Sequence, residues 1–190
     1  MNLMLRHLPN LLTTLRLAAA PTTAGLLVAG DFNAALGIFA FAGLSDAADG
    51  FLAKRFNLAT RLGRFLDPVA DKTLMLTAFV TLAILDDVPA WLAVTVIARD
   101  VLILLGLAVA LAVRAPIAVQ PLLIGKASMA LQVLYIGWHL AALAFEFPPN
   151  AVSPADAYVV ALFAMASGGA YLAVWAKAMR AVRIQDGRRA

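Results

Sequence analysis

The chain has 190 residues, of which 63% are hydrophobic and 14% charged, with a formal net charge of +4. That charged share falls well below the roughly 25% of soluble domains and, with a mean hydropathy of +0.89, excludes an ordinary water-soluble fold. With no cysteine, disulfide frameworks, thiolate catalysis and cysteine metal sites are excluded too.

A membrane-crossing helix needs about 20 mainly apolar residues. Taken in chain order, the runs of that kind predict six spans, at about 9–29, 32–54, 62–85, 88–113, 122–146 and 155–179. Alanine and leucine dominate and strand-type alternation is absent, so the expected fold class is an all-α membrane protein, a bundle of six transmembrane helices. The spans leave no room for a soluble module, and residues 1–190 are expected to form one membrane domain. The first span, with Pro9, Asn10 and Arg16 early and a full-length continuation, is expected to stay in the chain as a helix and not to be a cleaved leader.

Charge placement sets the topology. Arg6, Lys54, Arg55, Arg61, Arg64, Arg114, Lys177, Arg180, Arg183, Arg188 and Arg189 fall at one set of span ends. Asp31, Asp86, Asp87, Glu146 and Asp156 fall at the other. Basic ends face the cytoplasm, so both termini and the loop near residue 60 are expected there, in a bacterial inner membrane or its equivalent. The basic tail can also rest on anionic membrane lipids.

Spans two and three carry the chemistry. "SDAADGFLAKRFNLATRLGRFLDPVADKT", residues 45–73, holds four aspartates and five basic residues in an otherwise oily chain. Asp46 and Asp49 are three apart, and Asp67 and Asp71 four apart, so each pair shares a helix face. A short connection makes the two helices antiparallel neighbours and lets the carboxylates converge at one depth near the cytoplasmic interface. Four ionised carboxylates repel one another. Three readings are open: solvated helix-end residues, a proton or cation pathway, or ligands for divalent cations. Hard oxygen donors without nearby His or Cys suit Mg²⁺ or Mn²⁺, and four suffice for two ions. Gly50, directly after Asp49 and near Lys54 and Arg55, admits either tight helix packing or the close approach of an anionic, phosphate-bearing ligand.

The pattern D-x-x-D-G-x-x-A-R, eight residues, G-x-x-x-D-x-x-x-D resembles the signature of the CDP-alcohol phosphatidyltransferase family. Here it falls on Asp46, Asp49, Gly50, Ala53, Lys54, Gly63, Asp67 and Asp71, with lysine in place of the family's arginine at position 54. Lysine keeps the charge but not the two-pronged geometry, and Arg55 stands beside it. "LPNLLTTLRLAAAP" also resembles the family's opening helix. The resemblance implies a homodimeric enzyme that moves a phosphatidyl group from CDP-diacylglycerol to an alcohol and releases CMP. It implies that Asp46, Asp49, Asp67 and Asp71 bind two divalent ions, Mg²⁺ or Mn²⁺, with Asp71 also the general base. By the same likeness Gly50, Ala53, Lys54, Gly63 and Arg55 contact the cytidine diphosphate. Asn10 and Arg16 lie near the same interface, where a helix-start or topology role is the alternative.

Arg99 in "IARDVLILLGL" and Lys126 in "LIGKASMALQ" are charges in or at the ends of apolar spans. They either snorkel to the interface or receive the acceptor's phosphate. Family members acting on glycerol-3-phosphate show Arg-Glu here and a second arginine eight residues on. This chain has Arg99-Asp100 and Leu107. "DDVPAWLAVTVIARDVLILLG" and "IGKASMALQ" resemble the CMP-forming cardiolipin synthases of the family, which implies phosphatidylglycerol as acceptor, with glycerol-3-phosphate the first alternative and inositol or serine the next. A small cation transporter is the rival class. It would be expected to place its acids near mid-membrane, often with repeats or broken helices. No nucleic-acid partner is expected, and His7 and His139 are read as structural.

Overall fold

The computed structural model describes residues 3–56, 63–112, 122–148 and 152–187. Side chains are described for 14–45, 72–110, 112, 122–148 and 152–179. The described residues form six helices and no strand: α1 (Leu3–Val28), α2 (Phe32–Phe56), α3 (Gly63–Ile84), α4 (Ala90–Ala112), α5 (Leu123–Ala144) and α6 (Pro154–Gly187). The expected spans coincide with these helices in number and order. Two ends differ. Helix α1 starts six residues earlier, through a segment containing Arg6 and His7, and α6 runs eight residues further, through "RAVRIQDG". Neither extension is apolar, but both are rich in residues of good helix propensity.

Three helices stop in the same way, each by placing one residue in the left-handed region. At the end of α1 that residue is Gly30, with φ 77°. Its N–H donates to the Leu27 carbonyl at 3.1 Å and the Asp31 N–H donates to Leu26 at 2.9 Å. Asp86 (φ 61°) and Glu146 (φ 51°) do the same for α3 and α5, with Asp87 N–H donating to Leu82 at 3.0 Å and Phe147 N–H to Ala142 at 2.9 Å. Acidic side chains also start α2 and α6. Asp31 Oδ1 accepts from the Ala34 N–H at 3.1 Å, an N-cap. Ser153 and Asp156 form a reciprocal cap: Ser153 Oγ accepts from Ala155 N–H at 3.2 Å and Asp156 Oδ2 from Ser153 N–H at 3.1 Å.

The chain divides into two compact units. The first comprises Met1–Ala90 and Ile136–Val152, hence α1 to α3 and the last turns of α5. Helix α1 packs against both α2 and α3. Leu27, Phe79, Leu82, Ile136 and Leu140 are fully buried side chains of this unit. The second comprises Trp91–Tyr135 and Ser153–Ala190, hence α4, the first part of α5, and α6. Its buried set includes polar side chains, among them Ser128, Gln132 and Ser167. Gln132 Nε2 donates to Ser128 Oγ at 3.1 Å, one turn back on α5, so that pair satisfies itself locally.

Large apolar side chains cover the outside. Phe41, Leu44, Ile84, Leu105, Leu123 and Leu134 are each more than 60% exposed. In water a continuous apolar exterior invites aggregation, whereas in lipid it is the expected solvent contact. Three helices are long and apolar enough to cross a membrane: Ala90–Ala110, Leu123–Ala144 and Pro154–Met179. Among the described residues Thr14–Val28, Phe32–Ser45 and Lys72–Ile84 are shorter apolar helices. Trp91 and Tyr158, at the starts of α4 and α6, stack with ring centroids 5.1 Å apart. Paired, exposed aromatic rings at helix ends suit the membrane–water interface.

Candidate functional site

The residues of the carboxylate motif lie on two helices of the first unit. Asp46, Asp49, Gly50, Ala53, Lys54 and Arg55 stand on the second half of α2; Gly63 opens α3, followed by Asp67 and Asp71. Their side chains lie outside the described residues, as does that of Asn10 on α1. Helical backbone through both pairs sets their register. Asp46 and Asp49 are about 60° apart around α2, and Asp67 and Asp71 about 40° apart around α3. Because α1 packs against both α2 and α3, one helix links the two elements that carry the acids. Among the described residues no group of three His, Asp or Glu is placed to hold a metal ion.

Next to this motif, α1 and α2 enclose a pocket of about 240 Å³. Leu15, Thr22, Ile38 and Phe41 supply much of its wall, with Arg16 and Ser45 its other polar members. Thr22 Oγ1 donates to the Ala18 carbonyl at 2.8 Å, so its hydroxyl is spent within α1 and the wall there is effectively apolar. Ser45 immediately precedes Asp46, and Asp49 follows Ser45 by one helical turn. The pocket's lining on α2 therefore ends one residue before the first acid of the motif. Arg16 is only 4% exposed, so this cation does not reach out to a lipid headgroup layer on the surface.

The second cluster lies in the second unit. Arg99 on α4 has a side chain 10% exposed. Its Nε and Nη2 both donate to Ser167 Oγ on α6, at 3.2 and 2.6 Å, and its Nη1 donates to Asp100 Oδ1 at 2.6 Å. The snorkelling alternative does not describe Arg99: its guanidinium is held between helices. Tyr171 is one turn beyond Ser167, and its hydroxyl oxygen accepts from the Leu122 N–H at 3.3 Å, immediately before α5. A Cβ on Gly125 would stand 3.2 Å from the Tyr171 ring and 3.5 Å from Arg99 Nη2. Glycine thus lets the first turn of α5 approach both. Lys126 follows Gly125 in that turn, with an exposed side chain. Leu107 lies eight residues along α4 from Arg99 and brings no charge.

Ser167 and Tyr171 escaped the sequence reading. A buried arginine needs oxygen acceptors, and α6 between residues 160 and 176 offers only these two side-chain hydroxyls. That scarcity was the available signal.

At the opposite ends of the helices, Asp87 sits in the turn after α3. Burial pushes its carboxyl above the ordinary value of 3.8, opposed by His139 and assisted by Asp86. His139 is 6% exposed on α5.

The fold and motif define an all-helical membrane-type chain with paired carboxylates on consecutive helices. Comparison with known sequences makes the class specific: the pattern of the CDP-alcohol phosphatidyltransferase family matches residues 6–182, and the chain belongs to that family, whose members are phosphotransferases. It is 43% identical over 98 residues to a Rattus norvegicus protein named cardiolipin synthase (CMP-forming), covering 51% of this chain and 32% of the relative. A Schizosaccharomyces pombe protein named cardiolipin synthase (CMP-forming) / mitochondrial hydrolase fusion protein is 33% identical over 179 residues, 86% of this chain and 30% of that one. A Mycobacterium tuberculosis protein named probable phosphatidylglycerophosphate synthase is 39% identical over 100 residues, covering 50% and 48%. The chain thus spans less than half the length of each of these relatives.

Proposed function

We propose that the chain transfers a phosphatidyl group from CDP-diacylglycerol to phosphatidylglycerol, forming cardiolipin and releasing CMP. The observation that carries the reaction class is the spacing of Asp46, Asp49, Gly50, Ala53, Gly63, Asp67 and Asp71 on two helices that α1 joins. For the acceptor, the support is Leu107 in place of a second cation near Arg99, together with likeness to proteins named cardiolipin synthase (CMP-forming). Likeness to a protein named probable phosphatidylglycerophosphate synthase supports glycerol-3-phosphate as the second reading.

In this reading six helices span the membrane as one domain, the termini and the motif face the cytoplasm, and two copies form a homodimer. The donor set suits hard divalent cations: four carboxylates, with no sulfur or imidazole ligand within the motif. Asp46, Asp49, Asp67 and Asp71 would hold two such ions, Mg²⁺ or Mn²⁺, whose chemistry is to bind pyrophosphate oxygens and offset the charge on CMP as it departs. Lys54 and Arg55 add positive charge beside the cytidine diphosphate, and Gly50, Ala53 and Gly63 keep the helix surfaces low enough for it to approach. The apolar pocket beside Ser45 takes part of a lipid chain. Asp71 accepts the proton of the acceptor hydroxyl as its oxygen attacks the phosphorus bearing the diacylglycerol ester. The bond from that phosphorus to the bridging oxygen breaks, and CMP leaves with the electron pair. Arg99 and Lys126 hold the acceptor's phosphate.

The test supplies purified protein with CDP-diacylglycerol and Mg²⁺ or Mn²⁺, with phosphatidylglycerol and glycerol-3-phosphate in separate reactions, and identifies the lipid formed. Cardiolipin from the first is the expected result. Phosphatidylglycerol phosphate from the second alone would overturn the acceptor. Absence of CMP in both would overturn both acceptors, and absence with inositol and serine as well would overturn the enzyme reading in favour of a class such as a small cation transporter.

A further inference from the structure

We propose that one face of α6, presented by Ser167 and Tyr171, is the positioning surface of the acceptor-phosphate site. This rests on the reading of Arg99 and Lys126 as the cations of that site. Ser167 and Tyr171 are four residues apart on α6, so they lie on one face, and each holds a different neighbouring helix. Ser167 holds the arginine of α4. Tyr171 holds the backbone just ahead of α5, the helix whose first turn carries Lys126.

The guanidinium geometry gives the arrangement its point. Arginine has five N–H donors in a planar fork. Ser167 Oγ accepts from the edge formed by Nε and Nη2, and Asp100 accepts from Nη1. Two N–H groups, one on Nη1 and one on Nη2, remain outside these bonds. Nη2 is the nitrogen next to Gly125, so the unspent part of the fork stands by the turn that carries Lys126. Ser167 is fully buried and so fixes the fork's orientation without competing for solvent. Tyr171 fixes the partner turn through the Leu122 N–H. Both act as positioning residues, each through a cation or the turn that carries it.

The test measures KM for donor and acceptor separately, using whichever of phosphatidylglycerol and glycerol-3-phosphate the wild type accepts. Ser167→Ala is expected to raise the acceptor KM about tenfold or more, the scale of a hydrogen bond to a charged group, with the donor KM unchanged. Tyr171→Phe keeps the ring and is expected to raise the acceptor KM by a smaller factor, about threefold. Ser167→Thr, which retains Oγ, should restore most of the loss. In an Arg99→Lys background, Ser167→Ala should add nothing further, because both changes remove one contact. A residue that merely packs would add its effect in full.

An acceptor KM equal to wild type, equal effects on both substrates, or additivity with Arg99→Lys would each overturn the inference. Should Ser167→Ala fail to yield folded protein, Tyr171→Phe decides alone: a raised acceptor KM at constant donor KM supports the inference and an unchanged one overturns it. Wild-type protein that turns over neither acceptor would instead defeat the functional reading itself.

Discussion

Gly106→Ala adds one methyl group where α4 meets α6 in the second unit. A Cβ built on Gly106 of α4 overlaps Cε3, Cζ3 and Cη2 of Trp175 on α6. Those atoms belong to the rigid six-membered ring of the indole, so no flexible chain end can swing aside. Either α4 moves away from α6 or the whole ring is displaced. Inserting a carbon into a packed interior costs about 1–3 kcal/mol. At about 2–4 °C per kcal/mol for a chain of this size, thermal unfolding in detergent should fall by roughly 2–12 °C. The effect should also reach the site. Gly106 is seven residues beyond Arg99, on the same face of α4, and Trp175 is one turn beyond Tyr171 on α6. Displacement there draws Arg99 from Ser167 and raises the acceptor KM. Trp175→Leu in the same protein opens the space, and the double variant should unfold at a higher temperature than Gly106→Ala alone. An unchanged unfolding temperature for Gly106→Ala, or no recovery with Trp175→Leu, would refute this account of the contact.

Other expectations follow from single features. Glu146 holds a left-handed conformation that costs a residue with a Cβ about 1 kcal/mol. Glu146→Gly should therefore stabilise by up to about that amount, read as a rise in unfolding temperature, since glycine adopts this φ freely. Asp87 has its carboxyl pKa raised by burial in the folded state. Its contribution to stability is full below the ordinary value of 3.8 and is lost as pH rises through the folded value. Asp87→Asn should flatten the dependence of unfolding temperature on pH and raise that temperature near neutrality; a curve parallel to wild type would contradict this. Lys54→Arg should keep or increase CMP release if Lys54 fills the family's arginine position, whereas complete loss would mean a pocket shaped around lysine.

The helices were legible because the length an apolar run needs to cross lipid is a strong constraint, and it located all six helices that the structure describes. Their ends were less so. "LMLRHL" and "RAVRIQDG" are helical without being apolar runs, so an apolar-run criterion ignores them. The stops at Asp86 and Glu146 use left-handed residues that are not glycine, and acidic residues carry only a faint signal for that. The carboxylate motif could be read because its chemistry is local: two pairs, each within one helical turn. The surroundings of Arg99 could not, because Ser167 is sixty-eight positions away and serine and tyrosine in an oily helix are individually unremarked. Likewise the pocket beside Ser45 exists only once α1 lies against α2. Tertiary partners of a single buried charge depend on helix packing, and packing is not written in periodicity.

The central claim is that the aspartates of α2 and α3 carry out metal-dependent phosphatidyl transfer. The direct test is CMP release from CDP-diacylglycerol by wild type and Asp71→Asn, each with Mn²⁺ or Mg²⁺ and again after EDTA. Release by wild type should stop with EDTA and return on metal addition, and Asp71→Asn of normal unfolding temperature should give none. Release that persists in EDTA, or full activity in Asp71→Asn, would contradict it.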